Sequence, residues 1–572
     1  MKTAILSLTL LLLALCQTAQ AQQTDTLDIR QQNIVLIASA TARGDLNNLT
    51  TSLSRGLDNG MTVNEIKEVL VHAYAYCGFP RSLRALQTFV EVLDSRKTQG
   101  ITDTVGREAS AITDKRDKYT RGAELLEKLS GAPADAPKTG YAAFAPIIEQ
   151  YLKEHLFCDI FERDLLTWQE RELATVSILT AMGEGVEPML KSHSAICLRQ
   201  GITEGQLRQM TTLVNGLDDD DPFARGTLMP DNPNFTGKAW LQGYVAPQDG
   251  FGCTVSNVTF APGCRNSWHS HKGGQLLLCT SGKGYYQEKG KPIQLLLPGD
   301  VVKIAPDVIH WHGAAPDSWF AHIAISCNPQ TNQPTWLQPV SDTEYIGATT
   351  QSVERYIEAN RVLTDREQAI VAIASYTGRG DLEHLPLALT EGLQAGMTVN
   401  EINEVLIHAY AYCGFPRSLR AIQTFEALIK TRREQGIEDP AGREVSPIKN
   451  DASRYERGRD ILAEISGIPA DAPKTGYAAF APTIERFLKE HLFADLFERE
   501  LLTYCERELA TVSILAGVGG VEPMAYGHMG ICLHLGITPE QLTALLNIVE
   551  VNLGPASATP LREVLKNLTT KK

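Results

Sequence analysis

A duplication constrains this chain more than any other feature. The stretch HAYAYCGFPRSLRA at His72–Ala85 recurs letter for letter at His408–Ala421, an offset of 336 residues. The same offset relates Gly60 to Gly396 at the head of GMTVNEI, Asp135 to Asp471 in DAPKTGYAAFAP and Glu170 to Glu506 in ERELATVSIL; after Leu515 a single deletion shifts it by one. One module therefore spans residues 30–215 and its twin 366–550, and both must adopt one fold. A fainter echo aligns Gly60-Met61-Thr62 with Gly201-Ile202-Thr203, so each module holds two related units. Ile66, Val69, Leu70 and Ala73 recur at helical spacing until Gly78-Phe79-Pro80 interrupts the run, and the modules read as all-α.

Between the twins the pattern changes. A linker at 216–233, rich in Asp, Pro, Gly and Asn, leads to short β-rich runs such as CTVSNVTF and VVKIAPDVIHWHG, separated by turn signals at Pro262-Gly263 and Pro298-Gly299. These runs predict a small antiparallel barrel over 234–340. The whole is a multidomain α + β chain, long enough at 572 residues for three or more cores. Its formal charge of −14 lacks the basic footprint that nucleic acid requires.

The start, MKTAILSLTLLLLALCQTAQAQQ, joins Lys2 to an apolar run from Ala4 to Leu15 and the small-x-small pattern Ala19-Gln20-Ala21. It reads as a signal peptide over 1–21, and a periplasmic location is the expectation. Leu15 stands before Cys16 where a lipid anchor needs a small side chain. No later stretch is long enough to span a membrane. The eleven cysteines show no Cys-x-x-Cys spacing, which speaks against a zinc ribbon and against a thioredoxin-like couple.

The middle region carries His269-Ser270-His271, Gln275, His310-Trp311-His312 and His322. Strand residues two apart share a face, so His269 and His271 can both point inward, as can His310 and His312. Neutral imidazoles with an oxygen ligand and open positions suit a divalent transition metal. The run from Gly263 through His269, His271 and Gln275 to Gly282, with a second motif around Gly299 and His310, resembles the cupin superfamily, with Gln in place of the usual Glu. It departs at Ala305 and Asp307, where Pro and Gly are usual. More narrowly, PGCRNSWHSHKGGQLLL looks like the small manganese cupins that include bacterial hydroxynitrile lyases. That resemblance implies a jelly-roll barrel with His269, His271, Gln275 and His310 as metal ligands. Manganese is the ion it implies first, with iron, zinc and nickel left open. His312 and His322 would be unligated residues that bind substrate or move protons.

In the modules Glu68 and His72, like Glu404 and His408, stand four apart on one helix face. A carboxylate can orient an imidazole there for acid/base work, or the two can form a plain salt link. Arg171-Glu172 opens a later helix and His193 follows; the twin has Arg507-Glu508 and His528. With the Gly-x-Thr turn and the Glu-x-x-x-His helix ending in Tyr-x-Gly-x-Pro, the modules resemble the carboxymuconolactone decarboxylase family. The family's elements are divided between units, so a composite site from His193 with Glu68 and His72 is expected, with its twin at His528, Glu404 and His408. The family's peroxidase-like members use a Cys-x-x-Cys; here Glu184–Glu187 occupies that place, and Cys77 and Cys413 stand without a resolving thiol.

The leading expectation is a metal-dependent carbon–carbon lyase, carboxy-lyase-like, acting on a small organic acid, lactone or hydroxylated carbonyl compound. One alternative is hydroperoxide reduction at Cys77 and Cys413; another is a non-catalytic small-ligand-binding protein. The helical resemblance also implies a homo-oligomer.

Overall fold

The computed structural model describes residues 25–570 except 217–221, 231, 292, 317, 346–361 and 449. The leader expected at 1–21 lies outside the described residues. Among them no helix is long and apolar enough to cross a membrane.

The first module consists of α1 (Ile29–Arg43), α2 (Leu46–Asp58), α3 (Val63–Thr98), α4 (Lys118–Ser130), α5 (Trp168–Met182), α6 (Glu187–Arg199) and α7 (Glu204–Gly216), with a π-helical segment, Leu152–Ile160, ahead of α5. Side-chain caps set the helix starts. At α3 the Thr62 hydroxyl accepts the Glu65 N–H while the Glu65 carboxylate accepts the Thr62 N–H, and Thr167 with Glu170 repeats this at α5. The twin follows the same plan with α8 (Asp365–Arg379), α9 (Leu385–Gln394), α10 (Val399–His408), α11 (Tyr410–Glu434), α12 (Arg454–Ser466), a π-helical segment Leu488–Phe497, α13 (Tyr504–Val518), α14 (Glu522–His534) and α15 (Pro539–Leu553). A further helix, α16 (Pro555–Thr570), buries Ala558, Leu561 and Leu565 beyond the expected end of the module.

Gly78 bends α3 instead of ending it. Its φ of 85° leaves the helical region, and the helix resumes with Pro80 in its new first turn, where a missing N–H costs nothing. Gly414 does the same in the twin. The two bends meet: a Cβ on Gly78 would lie 2.1 Å from the Tyr412 carbonyl oxygen, and one on Gly414 2.0 Å from that of Tyr76. Backbone thus packs on backbone across a pseudo-two-fold axis, and buried residues of both modules join in one continuous apolar core.

The middle region is a curled pair of antiparallel sheets. One runs β1 (Thr227–Leu228), β3 (Ala239–Val245), β4 (Cys253–Phe260), β12 (Phe320–Cys327), β7 (Gln275–Gly282) and β10 (Val301–Ile304). The other runs β13 (Pro334–Trp336), β6 (His269–His271), β11 (His310–Ala314), β5 (Arg265–Asn266) and β2 (Phe235–Thr236), with β8 (Gly284–Glu288) on β11 and β9 (Gln294–Leu296) on β8. Strand β1 falls inside the stretch read as linker, since two residues are too few to show alternation. Asp307, where the cupin pattern has Gly, adopts φ 63°, a conformation Asp tolerates, and its N–H donates to the His271 carbonyl at 2.8 Å. The turn therefore survives the departure from the pattern.

Gly78→Ala and Gly414→Ala are each expected to cost about 3 kcal/mol or more, because the methyl meets backbone that cannot yield. Gly60→Ala, also at positive φ (87°) but in open space, should cost only about 1 kcal/mol. Thermal unfolding of the full chain reads the difference, and equal effects at the two kinds of site would contradict the packing.

Candidate functional site

In the barrel, strand register brings the histidines together. His310 on β11 is the direct cross-strand partner of His269 on β6, and both strands turn these side chains into the interior. Ring centroids lie 4.2 Å apart for His269 and His310, 5.0 Å for His269 and His271 and 5.5 Å for His271 and His310. Two imidazoles bound to one ion at about 2.1 Å have centroids about 4.6–5.3 Å apart; the His269–His271 spacing falls in that range, and the other two lie just below and just above it.

Hydrogen bonds settle which nitrogens face that point. His269 Nδ1–H donates to the Ser267 carbonyl at 2.9 Å and His310 Nδ1–H to the Val308 carbonyl at 3.0 Å. Each ring thus keeps its lone pair on Nε2, the arrangement that orients a ligating histidine. His310 Nε2 is buried without a partner, and so are both nitrogens of His271. Gln275 donates its amide N–H to Ser326 Oγ at 3.2 Å, which leaves its buried Oε1 unpartnered. Burial holds all three rings neutral: His269 well below its ordinary range, His271 below it and His310 down to about 4.

Proximity alone would group His269 and His310 with His312, whose donor atoms all fall within 4.8 Å of one another. Chemistry separates His312 from that set. Asn266 Oδ1 accepts the His312 backbone N–H at 2.9 Å, which fixes the amide so that its Nδ2 donates to His312 Nε2 at 3.0 Å. His312 therefore carries its proton on Nδ1, buried and without a partner. His322 on β12 lies edge-on to it with centroids 4.9 Å apart and has no partner at either nitrogen; burial lowers it to about 3. Asn266 escaped the sequence reading, because an Asn three residues before a His-x-His pair carries no signal until β5 and β11 pair.

In the modules the expected Glu68–His72 contact does not form. Glu68 is clamped by Arg163, through two N–H groups at 2.9 Å, and by Arg171 at 2.6 Å; these guanidinium groups hold its carboxyl below the usual range even though burial alone would raise it. His72 Nε2–H donates to Thr175 Oγ1 at 2.9 Å, because the Thr175 hydroxyl is already spent on the Arg171 carbonyl. Glu404, Arg499, Arg507, His408 and Thr511 repeat this arrangement. His193 instead pairs through Nδ1 with the buried Glu172 at 2.8 Å and lies edge-on to Tyr76, centroids 5.5 Å apart. His528, Glu508 and Tyr412 form the same set. A buried carboxylate behind a half-buried imidazole is an acid/base arrangement, and the hydroxyls of Tyr76 and Tyr412 are buried there without a partner.

Cys77 and Cys413 are poor candidates for redox chemistry. Both are buried, burial pushes each thiol up to about 12, and each S–H donates to a carbonyl four residues back, of Ala73 and Ala409.

Family patterns divide the chain into the same ends and middle. The sequence pattern of the carboxymuconolactone decarboxylase family matches residues 10–91 and 347–427, and that of the AraC-like ligand binding domain matches 261–353. An (R)-mandelonitrile lyase of Granulicella tundricola is 37% identical over 111 residues, 19% of this chain and 85% of that protein. The crystal structure of a cupin-like protein from Thermotoga maritima is 47% identical and covers 23% of this chain and 98% of its own, with a TM-score of 0.22. A predicted oxalate decarboxylase from the same organism is 14% identical over 18% of this chain and 90% of its own, with a TM-score of 0.17.

Acid should weaken the barrel. An unfolded histidine titrates near 6.5, above the values of about 4 and 3 for His310 and His322, so between those limits the unfolded chain binds protons that the folded one refuses. Stability is full above about pH 6.5 and falls as the pH drops toward 4. Thermal unfolding followed by barrel tryptophan fluorescence is expected to trace that decline, and a flat profile would contradict neutral buried rings.

Proposed function

Because both ends of the chain belong to the carboxymuconolactone decarboxylase family and its middle is a cupin, we propose that the protein is a metal-dependent lyase whose reaction centre lies in the barrel. His269, His271, Gln275 and His310 would hold a divalent cation, manganese first. One observation supports this reading: all four side chains are buried in the barrel, His310 Nε2 and Gln275 Oε1 are left without a partner, and two of the rings are already turned by backbone carbonyls to present Nε2. When bound, the ion supplies Lewis-acid polarisation of a substrate oxygen, and a neutral amide in place of a carboxylate leaves it more of that acidity.

The proposed substrate is a small compound with a hydroxyl on the carbon whose C–C bond breaks, the chemistry suggested by the name of the mandelonitrile lyase. His322, neutral and unpartnered, takes the hydroxyl proton as the carbonyl forms. The electron pair of the breaking bond departs with the other carbon, which takes up the proton that His322 accepted, while His312 Nδ1–H donates a hydrogen bond to the substrate. Asn266 is a positioning residue, since it keeps His312 in the donor tautomer. The Glu172–His193 and Glu508–His528 pairs support a second, decarboxylase-like acid/base site in each module.

His312→Ala and His322→Ala should each lower turnover of a hydroxynitrile or 2-hydroxy acid about 10²–10⁴-fold while bound metal stays unchanged. Asn266→Leu should lower it about 10–100-fold, also with metal retained. His269→Ala with His271→Ala should abolish stoichiometric metal. Metal undiminished in that last variant, or turnover undiminished in the first two, defeats the proposal.

A further inference from the structure

The two π-helical segments meet between the modules and bring together a second group of histidine and carboxylate side chains, on elements separate from the barrel strands. His155 and Asp159 come from one segment, His491 and Asp495 from the other, and all four are buried. A π turn inserts a residue into the helical repeat and re-aims the side chains beside it, a device common at binding sites. His155 Nε2 stands 3.0 Å from Asp495 Oδ2, and His491 Nε2 stands 3.3 Å from Asp159 Oδ2. The remaining ring nitrogens stand 3.8 and 3.7 Å from the carboxylates of their own segments. Both rings thus touch both carboxylates, but none of these contacts has the alignment of a well-formed hydrogen bond. Donor atoms of His155, His491 and Asp495 all fall within 4.8 Å of one another, where neighbouring ligands of one ion at about 2.1 Å stand about 3.0–3.4 Å apart.

Charge points the same way. Asp159, Asp495, Glu154 and Glu490 bring four negative charges. Lys118 pairs with Asp159 at 2.8 Å and Glu490 at 3.5 Å, and Arg454 with Glu154 at 2.7 Å and Asp495 at 3.4 Å, which answers two of them. With neutral rings, two negative charges are left inside the protein, where unmatched charge is costly. The ring centroids of His155 and His491 are 3.3 Å apart.

We propose that this cluster is a second metal site, in which one divalent transition-metal ion is bound by His155, His491 and Asp495, with Asp159 beside it, and braces the two modules against each other. Two imidazoles sharing an ion need centroids about 4.6 Å apart, so binding parts the tilted rings by roughly 1 Å. The complete burial of the donors makes the site closed and structural, without an open position for substrate.

The test uses the full chain with His269→Ala and His310→Ala, so that the barrel cannot hold metal, and titrates it with cobalt(II) alone. About one equivalent per chain is expected, with the visible absorption of cobalt bound by nitrogen and oxygen. Adding His491→Gln and Asp495→Asn should weaken that binding at least ~100-fold in protein whose circular dichroism is unchanged. No cobalt bound by the folded barrel variant, or binding unaltered by the two added changes, overturns the proposal. Neither result bears on the barrel metal, which the unmutated chain reports separately.

Discussion

Backbone-to-backbone contact between the two bends at Gly78 and Gly414 is the constraint from which the helical part of the molecule is built. No side chain fits between them, so α3 and α11 can approach only where both residues lack a Cβ and both adopt positive φ. That approach sets the pseudo-two-fold axis, merges the two modules into one core and carries the π-helical segments to the same axis. The letter-for-letter repeat of the CGFP stretch has a physical reading in this geometry, since each copy is the surface on which the other packs.

The barrel depends on a different device. Pairing of β6 with β11 at His269 and His310 fixes the distance between two rings, and the carbonyls of Ser267 and Val308, each two residues ahead of its ring, fix their tautomers. Asn266 does the same for His312 from β5, with the opposite outcome: its nitrogen lone pair is occupied and its proton faces inward. Histidines of one kind within a few ångströms of each other thus take two roles because different neighbours hold their second nitrogen. The cost of keeping five imidazoles buried is that all must stay neutral, which ties the integrity of the barrel to pH.

In the modules, buried charge shows how competition decides partners. Glu68 has His72 one helical turn away, yet two guanidinium groups from later in the chain take its oxygens, and His72 falls to a threonine. Arginine offers paired donors in a rigid fork that an imidazole cannot match. Glu172, with no arginine bonded to it among the described residues, is the carboxylate that orients an imidazole, and the packing of the repeated sequence gives the same outcome in both modules.

Much of this was legible beforehand. The repeat required twin modules, helical spacing in VNEIKEVLVHAYAY made them α, and the period-two placement of His269/His271 and His310/His312 announced an inward-facing cluster, because all of these signals are local. What lies beyond reach of spacing is any contact that joins distant residues. The switch of Glu68 to Arg163 and Arg171, the tautomer set by Asn266 and the meeting of His155 with His491 across 336 residues each depend on which strand or helix lands beside which. Helical and strand periodicity come from the backbone and are written along the chain; hydrogen-bond partners and charge balance come from packing, and only the tertiary structure decides them.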